Sequence, residues 1–311
     1  MLNNPILKLW YKIFNKNKYQ TYKHEKAQFD RIKYYNEEVY DNILNIQKNI
    51  ETKKELSFLH SGHMGDLIYS LAVIKELSKS HICRFYIEIN KTMPAGYANH
   101  PSGKYFLDKR IVELLLPLLK NQKFLKTVQI YDNDSIDIDL NLFRDIPINI
   151  RFHSIRWYSH ITGVHVDMDN SFLDADEHET IKEKIVINRS PRYRNEYINY
   201  NFLKNTKNIL CIGLKSEFED IKKEIHNLEF YNCKDFLEMA KIIKSSKFFI
   251  GNECFAYSVA EGLKVPRLLE ASPDFPVVFP IGNNGYDFYH QNHFEKFFYK
   301  LNKNEDSLSQ N

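Results

Sequence analysis

The sequence predicts an α/β protein of two doubly wound domains facing a cleft, preceded by a helical extension. Three observations predict it. First, residues 56–77 read LSFLHSGHMGDLIYSLAVIKEL, a short apolar run, a glycine turn and then apolar residues at helical spacing. Second, the same grammar returns at 245–270, SSKFFIGNECFAYSVAEGLKVPRLLE. Third, an acidic stretch at 166–183 separates two successive β/α series. Parallel sheets of this kind bind ligands at the carboxyl ends of their strands.

Composition sets the bounds. The chain has 311 residues, 43% hydrophobic and 27% charged, which excludes global disorder and suits two domains of ordinary size. A net charge of +3 is too small to argue for nucleic acid. Cys83, Cys211, Cys233 and Cys254 are widely spaced without a CxxC pair, so a reduced, cytoplasmic chain is expected. No apolar run reaches the length of a membrane span, and the start lacks the marks of a signal peptide.

Residues 1–50 contain no glycine and are rich in Lys, Asn and Tyr. Ile6, Leu7, Leu9, Trp10, Ile13 and Phe14 alternate with Lys8, Lys12, Lys16 and Lys18. Such a face suits an anionic membrane surface, but packing onto the following domain, or a partly disordered arm, is the favoured reading. A second helix is expected from Phe29 to Ile50. After the helix that opens at Asp66, strands are expected at Cys83–Ile89, Val128–Tyr131 and Ile136–Leu140. Helices are expected at Leu107–Leu119, with Pro117 ending or kinking it, and from Arg156 to Ile161 before Gly163. In the second series, strands are expected at Lys184–Ile187, Asn208–Gly213, Phe248–Ile250 and Arg267–Glu270. Helices are expected at Cys233–Ser245, at Phe255–Leu263 with Gly262 closing it, and at about Asn292–Leu301. The domains divide as 1–50 (extension), 51–170, 171–290 and a terminal helix and tail at 291–311.

Three stretches have the residue types for chemistry. In SGHMGD, Gly62 and Gly65 admit tight turns or close approach, and Asp66 lies at the positive end of a helix. As a bare N-cap, Asp66 needs no function, and the two readings balance. In GNECF, the N–H groups ahead of the Phe255 helix suit a phosphate. There Gly251 permits the turn, Asn252 and Glu253 suit a sugar hydroxyl, and Cys254 and Phe255 begin the helix. In NRSPRYRN, Arg189, Arg192 and Arg194 form a candidate phosphate clamp, against the plainer reading of a solvated basic loop. Other signals are declined. Asp137-x-Asp139 reads as a strand face and Asp167-x-Asp169 as linker, and His60-x-x-His63 lacks further ligands for zinc. No P-loop or dinucleotide fingerprint is present.

GDLIYSLAVIKEL resembles the first helix of the heptosyltransferase-like (family 9) glycosyltransferases, which have the GT-B architecture. The stretch from Phe249 to Pro266 resembles that family's strand, G-N-D-S-G turn, small-residue helix and G-x-P. Phe230–Ala240 resembles the segment before it, and Ile212–Glu217, with Lys215, resembles the preceding strand and turn. The likeness covers about 56–80 and 184–270, in order. It implies a nucleotide-diphosphate sugar on the second domain and a glycan or lipid-linked acceptor on the first. It further implies an inverting, metal-independent transfer without cofactor, Asp66 as general base and His63 as its substitute or an acceptor contact. Three departures stand out: Glu253-Cys254-Phe255 replaces Asp-Ser-Gly, Ala72 replaces a helix proline, and three arginines compete for one basic position. A non-catalytic nucleotide- or glycan-binding protein, or a nucleotide-sugar hydrolase or epimerase on the same fold, is the alternative.

Overall fold

In the computed structural model, residues 4–94, 103–146, 153–274 and 277–303 are described. The stretch at 93–103, whose prolines and glycines predict a turn-rich loop, therefore lies largely outside the described residues.

The extension is three helices rather than two: α1 (Pro5–Phe14), α2 (Lys16–Tyr34) and α3 (Tyr40–Thr52), the last two joined by a π-helical turn at Tyr35–Val39. Asn15, in extended conformation, ends α1, and its side chain accepts from the Lys18 N–H to start α2. α3 docks on the body through Ile46, and Val39 just before it is also fully packed.

The first sheet contains β1 (Glu55–His60), β2 (Ile82–Ile87), β3 (Leu125–Ile130) and β4 (Ile138–Asp139), all parallel in the order β3-β2-β1-β4. Its helices are α4 (Met64–Leu77), α5 (Lys109–Lys120) and α6 (Ser154–Thr162). Pro117 sits inside α5 without ending it, one turn before the helix stops. α6 ends as expected, with Gly163 left-handed at φ 69°.

The second sheet orders its parallel strands β10-β9-β8-β5-β6-β7. These are β5 (Ile185–Asn188), β6 (Ile209–Ile212), β7 (Glu229–Tyr231), β8 (Phe248–Asn252), β9 (Arg267–Glu270) and β10 (Gly285–Phe288). α7 (Lys215–Ile221), α8 (Phe236–Lys244), α9 (Phe255–Leu263) and α10 (Gln291–Lys303) connect or follow them. β7 and β10 were not anticipated: each has three or four residues and carries little apolar alternation. α8 begins three residues later than expected, because the Asp235 side chain accepts from the Glu238 N–H and sets the cap there.

Gly262 is a correction. It lies within α9, and the left-handed residue that ends the helix is Lys264 at φ 55°. A Cβ on Gly262 would come within 2.9 Å of Leu173 Cβ, so packing against the 172–173 segment requires the glycine.

The two halves share one core. Leu56, Phe58, Leu67, Ile68 and Phe85 join Val186, Leu210, Ile212 and Phe249 in a continuous apolar cluster. Alternate residues of β5 serve opposite faces: Val186 enters this cluster, while Ile185 and Ile187 pack with Phe248, Phe294 and Phe298 on the far side. α4 and α9 meet across the two halves, with the Cβ position of Gly65 in ordinary contact with Ser258.

Candidate active site

In each sheet the chain reverses direction beside its first strand. β1 lies between β2 and β4, and β5 lies between β6 and β8. Crevices at such reversals are where open α/β sheets take ligands. The predicted residues fall at both of them.

At the first, β1 ends in buried His60 and Ser61. The Ser61 N–H and hydroxyl both donate to Asn141 Oδ1, at 3.0 and 2.6 Å, which ties the β1 end to the 3₁₀ turn after β4. Gly62 then turns at φ 99°, with a Cβ position only 2.8 Å from Leu107 Cγ, so no other residue fits. The Gly62 N–H donates to His60 Nδ1 at 2.9 Å, and Tyr158 donates its hydroxyl to the Asp66 carbonyl at 2.9 Å. With Nδ1 accepting, the proton of His60 resides on Nε2, which donates to Tyr158 at 2.8 Å. This buried chain of bonds locks the turn to the first turn of α4. Burial, then the charge of Arg144, drives the His60 pKa well below the ordinary histidine value.

Asp66 occupies the third position of α4, where its Oδ2 accepts from the His63 N–H at 3.3 Å. Its side chain retains 22% of its exposure, so it is recessed yet reachable. Arg144 Nη2 lies 3.6 Å from Oδ2, with the guanidinium held over the rings of Phe143 (4.4 Å) and Phe106 (4.7 Å). Asn141 Oδ1 also accepts from Arg144 Nη1, at 2.9 Å. Burial raises the Asp66 pKa above the usual carboxylate value, while Arg144, the His63 N–H and Arg192 oppose that rise. The result is a carboxylate made more basic by its surroundings, with a fixed cation opposing that rise.

His63 fares differently. Its ring stands edge-on to Phe106 at 4.8 Å, and burial with Arg144 and Arg192 lowers its pKa to about 3. An imidazole that weakly basic accepts no proton at neutral pH, which removes His63 as a substitute base. Gly65 is likewise not part of an acceptor loop: it sits inside α4 and faces Ser258.

At the second reversal, the three arginines separate in role. Arg189 is buried and spoken for. It donates through Nε and Nη2 to Glu270 at 2.7 and 2.8 Å, donates to the Ile198 carbonyl, and stacks on Tyr200. Arg194 donates to the Ser190 and Arg189 carbonyls at 2.9 and 3.2 Å and pairs with Asp220. Both hold the loop in shape, and both also line the cavity beside it. Arg192 is the arginine whose charge also reaches the first crevice. Its Nη2 donates to the Tyr193 hydroxyl at 2.6 Å, and its charge acts on both His63 and Asp66 from the opposite half.

Asn252 also changes role. Fully buried, it accepts from the Ser190 N–H at 3.0 Å and donates to the Ser190 and Arg192 carbonyls, so it is the post of the arginine loop and not a sugar contact. Gly251 admits the neighbouring strand: its Cβ position lies 3.0 Å from the Asn188 carbonyl. Lys215 is exposed at the start of α7, while Glu217 caps that helix and accepts from Asn188 Nδ2 at 3.0 Å. At the start of α9, Cys254 is the N-cap in extended conformation, and burial pushes its thiol up to about 12. Phe255 packs on Phe236 at 4.5 Å. Burial also lifts Glu253 to about 8, with backbone groups of Ser272 and Val277 opposing.

A cavity of about 630 Å³ opens beside the arginine loop, lined by Pro191, Tyr193, Arg194, Ser272 and Asp274. The declined acidic pairs have structural partners: Asp137 accepts from Ser57 and pairs with Lys53, and Asp139 accepts from the Asn141 N–H. Among the described residues, no three His, Cys, Asp or Glu side chains converge as metal ligands.

No family model matches the sequence, and no curated protein matches it. Solved structures do. A glycosyl transferase family 9 protein from Veillonella parvula superposes with a TM-score of 0.52 at 12% identity, covering 80% of this chain and 89% of its own. The Escherichia coli heptosyltransferase WaaC gives 0.48 at 12% identity, covering 79% and 99%. The E. coli ADP-heptose heptosyltransferase II gives 0.48 at 10%, covering 82% and 100%. The first of these likenesses shows the fold of the two sheets and their helices, the GT-B arrangement.

Proposed function

We propose that this GT-B chain is a glycosyltransferase that moves a sugar from a nucleotide-diphosphate sugar to a glycan or lipid-linked acceptor. The observation that supports it best is a recessed carboxylate, Asp66, ion-paired to Arg144 at the first crevice and lying within the field of Arg192 from the second. Asp66, backed by Arg144, accepts the proton of an acceptor hydroxyl. That oxygen attacks the sugar C1 from the face opposite the diphosphate; the C1–O bond to the diphosphate breaks, and the configuration inverts. Arg192 neutralises the departing diphosphate without a metal, and the cavity beside the loop takes the nucleoside. Placement at the cytoplasmic face of a membrane fits a lipid-linked acceptor.

One feature favours a second reading, nucleotide or glycan binding without transfer: the larger side chains of Glu253, Cys254 and Phe255 stand at the start of α9, where Phe255 packs on Phe236. Turnover separates the two. With a panel of nucleotide-diphosphate sugars, the wild-type chain is expected to release nucleoside diphosphate, and Asp66→Asn to slow release by about 10²–10⁴-fold while still binding the product. Equal release by both proteins removes Asp66 as the base. Binding without any release by the wild type establishes the second reading.

A further inference from the structure

α1 presents an apolar face that none of the described residues covers. Ile6, Leu9, Trp10, Ile13 and Phe14 are 49–78% exposed, and α1 buries no residue. At 100° per residue these five span an arc of about 140°. Leu7 and Tyr11 lie at one border of that arc and are half-buried, with the Tyr11 ring 6.3 Å from that of Tyr22 on α2. Lys12 lies at the other border, with Lys8 beyond it.

Two further observations say what this face meets. Within residues 1–24 there are five lysines and no Asp or Glu. α2, about 28 Å long at 1.5 Å per residue, buries only Tyr22, so α1 rides on a solvated arm rather than on the body. We propose that α1 docks the protein in the plane of an anionic lipid bilayer, its apolar arc in the headgroup–acyl boundary and its lysines on the phosphates. A second copy of the chain fits less well. A two-fold contact through this arc brings the lysines of the two copies together, with no acidic residue of 1–24 to meet them. The inference stands apart from the proposed transfer, because no residue of the two crevices enters it.

The test is flotation of the full chain with vesicles of phosphatidylcholine alone or with 30% phosphatidylglycerol. The lipid mixture is a choice of probe on the order of cellular anionic content. Trp10 provides a second readout, since the other tryptophan, Trp157, is buried. Binding to the anionic vesicles is expected to exceed binding to the neutral ones by about tenfold or more, to weaken with salt, and to shift emission to the blue. Trp10→Glu with Ile13→Glu is expected to abolish flotation, and Lys8→Glu with Lys12→Glu to remove the preference for anionic lipid. Nucleoside diphosphate binding serves as the folding control and is expected to be unchanged in both. Absence of wild-type flotation overturns the proposal. So does unchanged flotation in the first variant, or a wild-type dimer that this variant converts to a monomer without affecting flotation.

Discussion

Arg144 decides what Asp66 can do. Burial pushes the pKa of that carboxyl up, and the guanidinium 3.6 Å away opposes the rise. Replacing Arg144 with Ala is therefore expected to raise the Asp66 pKa and move the acid limb of the kcat/KM profile to higher pH, a direction that a merely structural loss would not give. An unmoved limb would show that Arg144 does not tune Asp66. Arg144 was not legible in the sequence. It sits in an unremarkable NLFRD stretch, and only the 3₁₀ turn after β4 brings it beside a helix that starts 80 residues earlier. Asp66 was legible because the glycine turn and the helix period are local. His63 was misjudged for the converse reason: its ordinary pKa is local knowledge, while the burial and two arginines that lower it to about 3 are not.

Among the elements, the arginine loop shows how a sequence can be right about a place and wrong about its parts. A basic turn at the end of β5 was readable, but which arginine meets a ligand depends on acids from distant segments. Glu270, at the end of β9, takes Arg189, and Asp220, on α7, takes Arg194. Guanidiniums bonded in this way knit the loop together and fix its shape where it borders the cavity. α9 was placed to the residue, because Cys254 and Pro266 bracket an apolar run, yet its glycine was assigned to the wrong task. Gly262→Ala tests the packing role. Alanine favours a helix interior by about 1 kcal/mol, but the added Cβ meets Leu173 Cβ at 2.9 Å, and overpacking costs about 1–3 kcal/mol. Thermal unfolding is expected at a Tm several degrees lower; a raised Tm would mean the 172–173 segment yields freely.

For the whole molecule, buried titratable groups set a stability optimum. His60, His63 and His153 have native pKa values lowered by burial, the last two to about 3, against 6.5 when unfolded. The unfolded chain thus binds more protons below pH 6.5, and stability falls as pH drops from there towards 3. Glu253 runs the other way: raised to about 8 from 4.5, it favours the native state at low pH and loses that advantage as pH rises through this window. Between 4.5 and 6.5 the three histidines outweigh Glu253 and Asp66, which burial also raises, and from there to 8 Glu253 continues to act. Denaturant unfolding is therefore expected to show a maximum near pH 6.5. Stability that rises steadily as pH falls below 6 would contradict the burial of those histidines. At this scale the sequence revealed two β/α series and the parallel sheets, because buried strands and helix periods repeat along the chain. It did not reveal that one apolar cluster runs through both halves, since Leu56 and Phe249 meet only once the chain is folded.

The central claim is that a nucleoside diphosphate binds at the arginine loop with Asp66 opposite. Calorimetric titration of nucleoside diphosphates into the wild-type chain and Arg192→Ala, in the presence of a chelator, tests it most directly. At least one diphosphate is expected to bind the wild type, and the variant to bind it about tenfold or more weakly. Absence of binding by every diphosphate, or equal binding by the two proteins, would contradict the account.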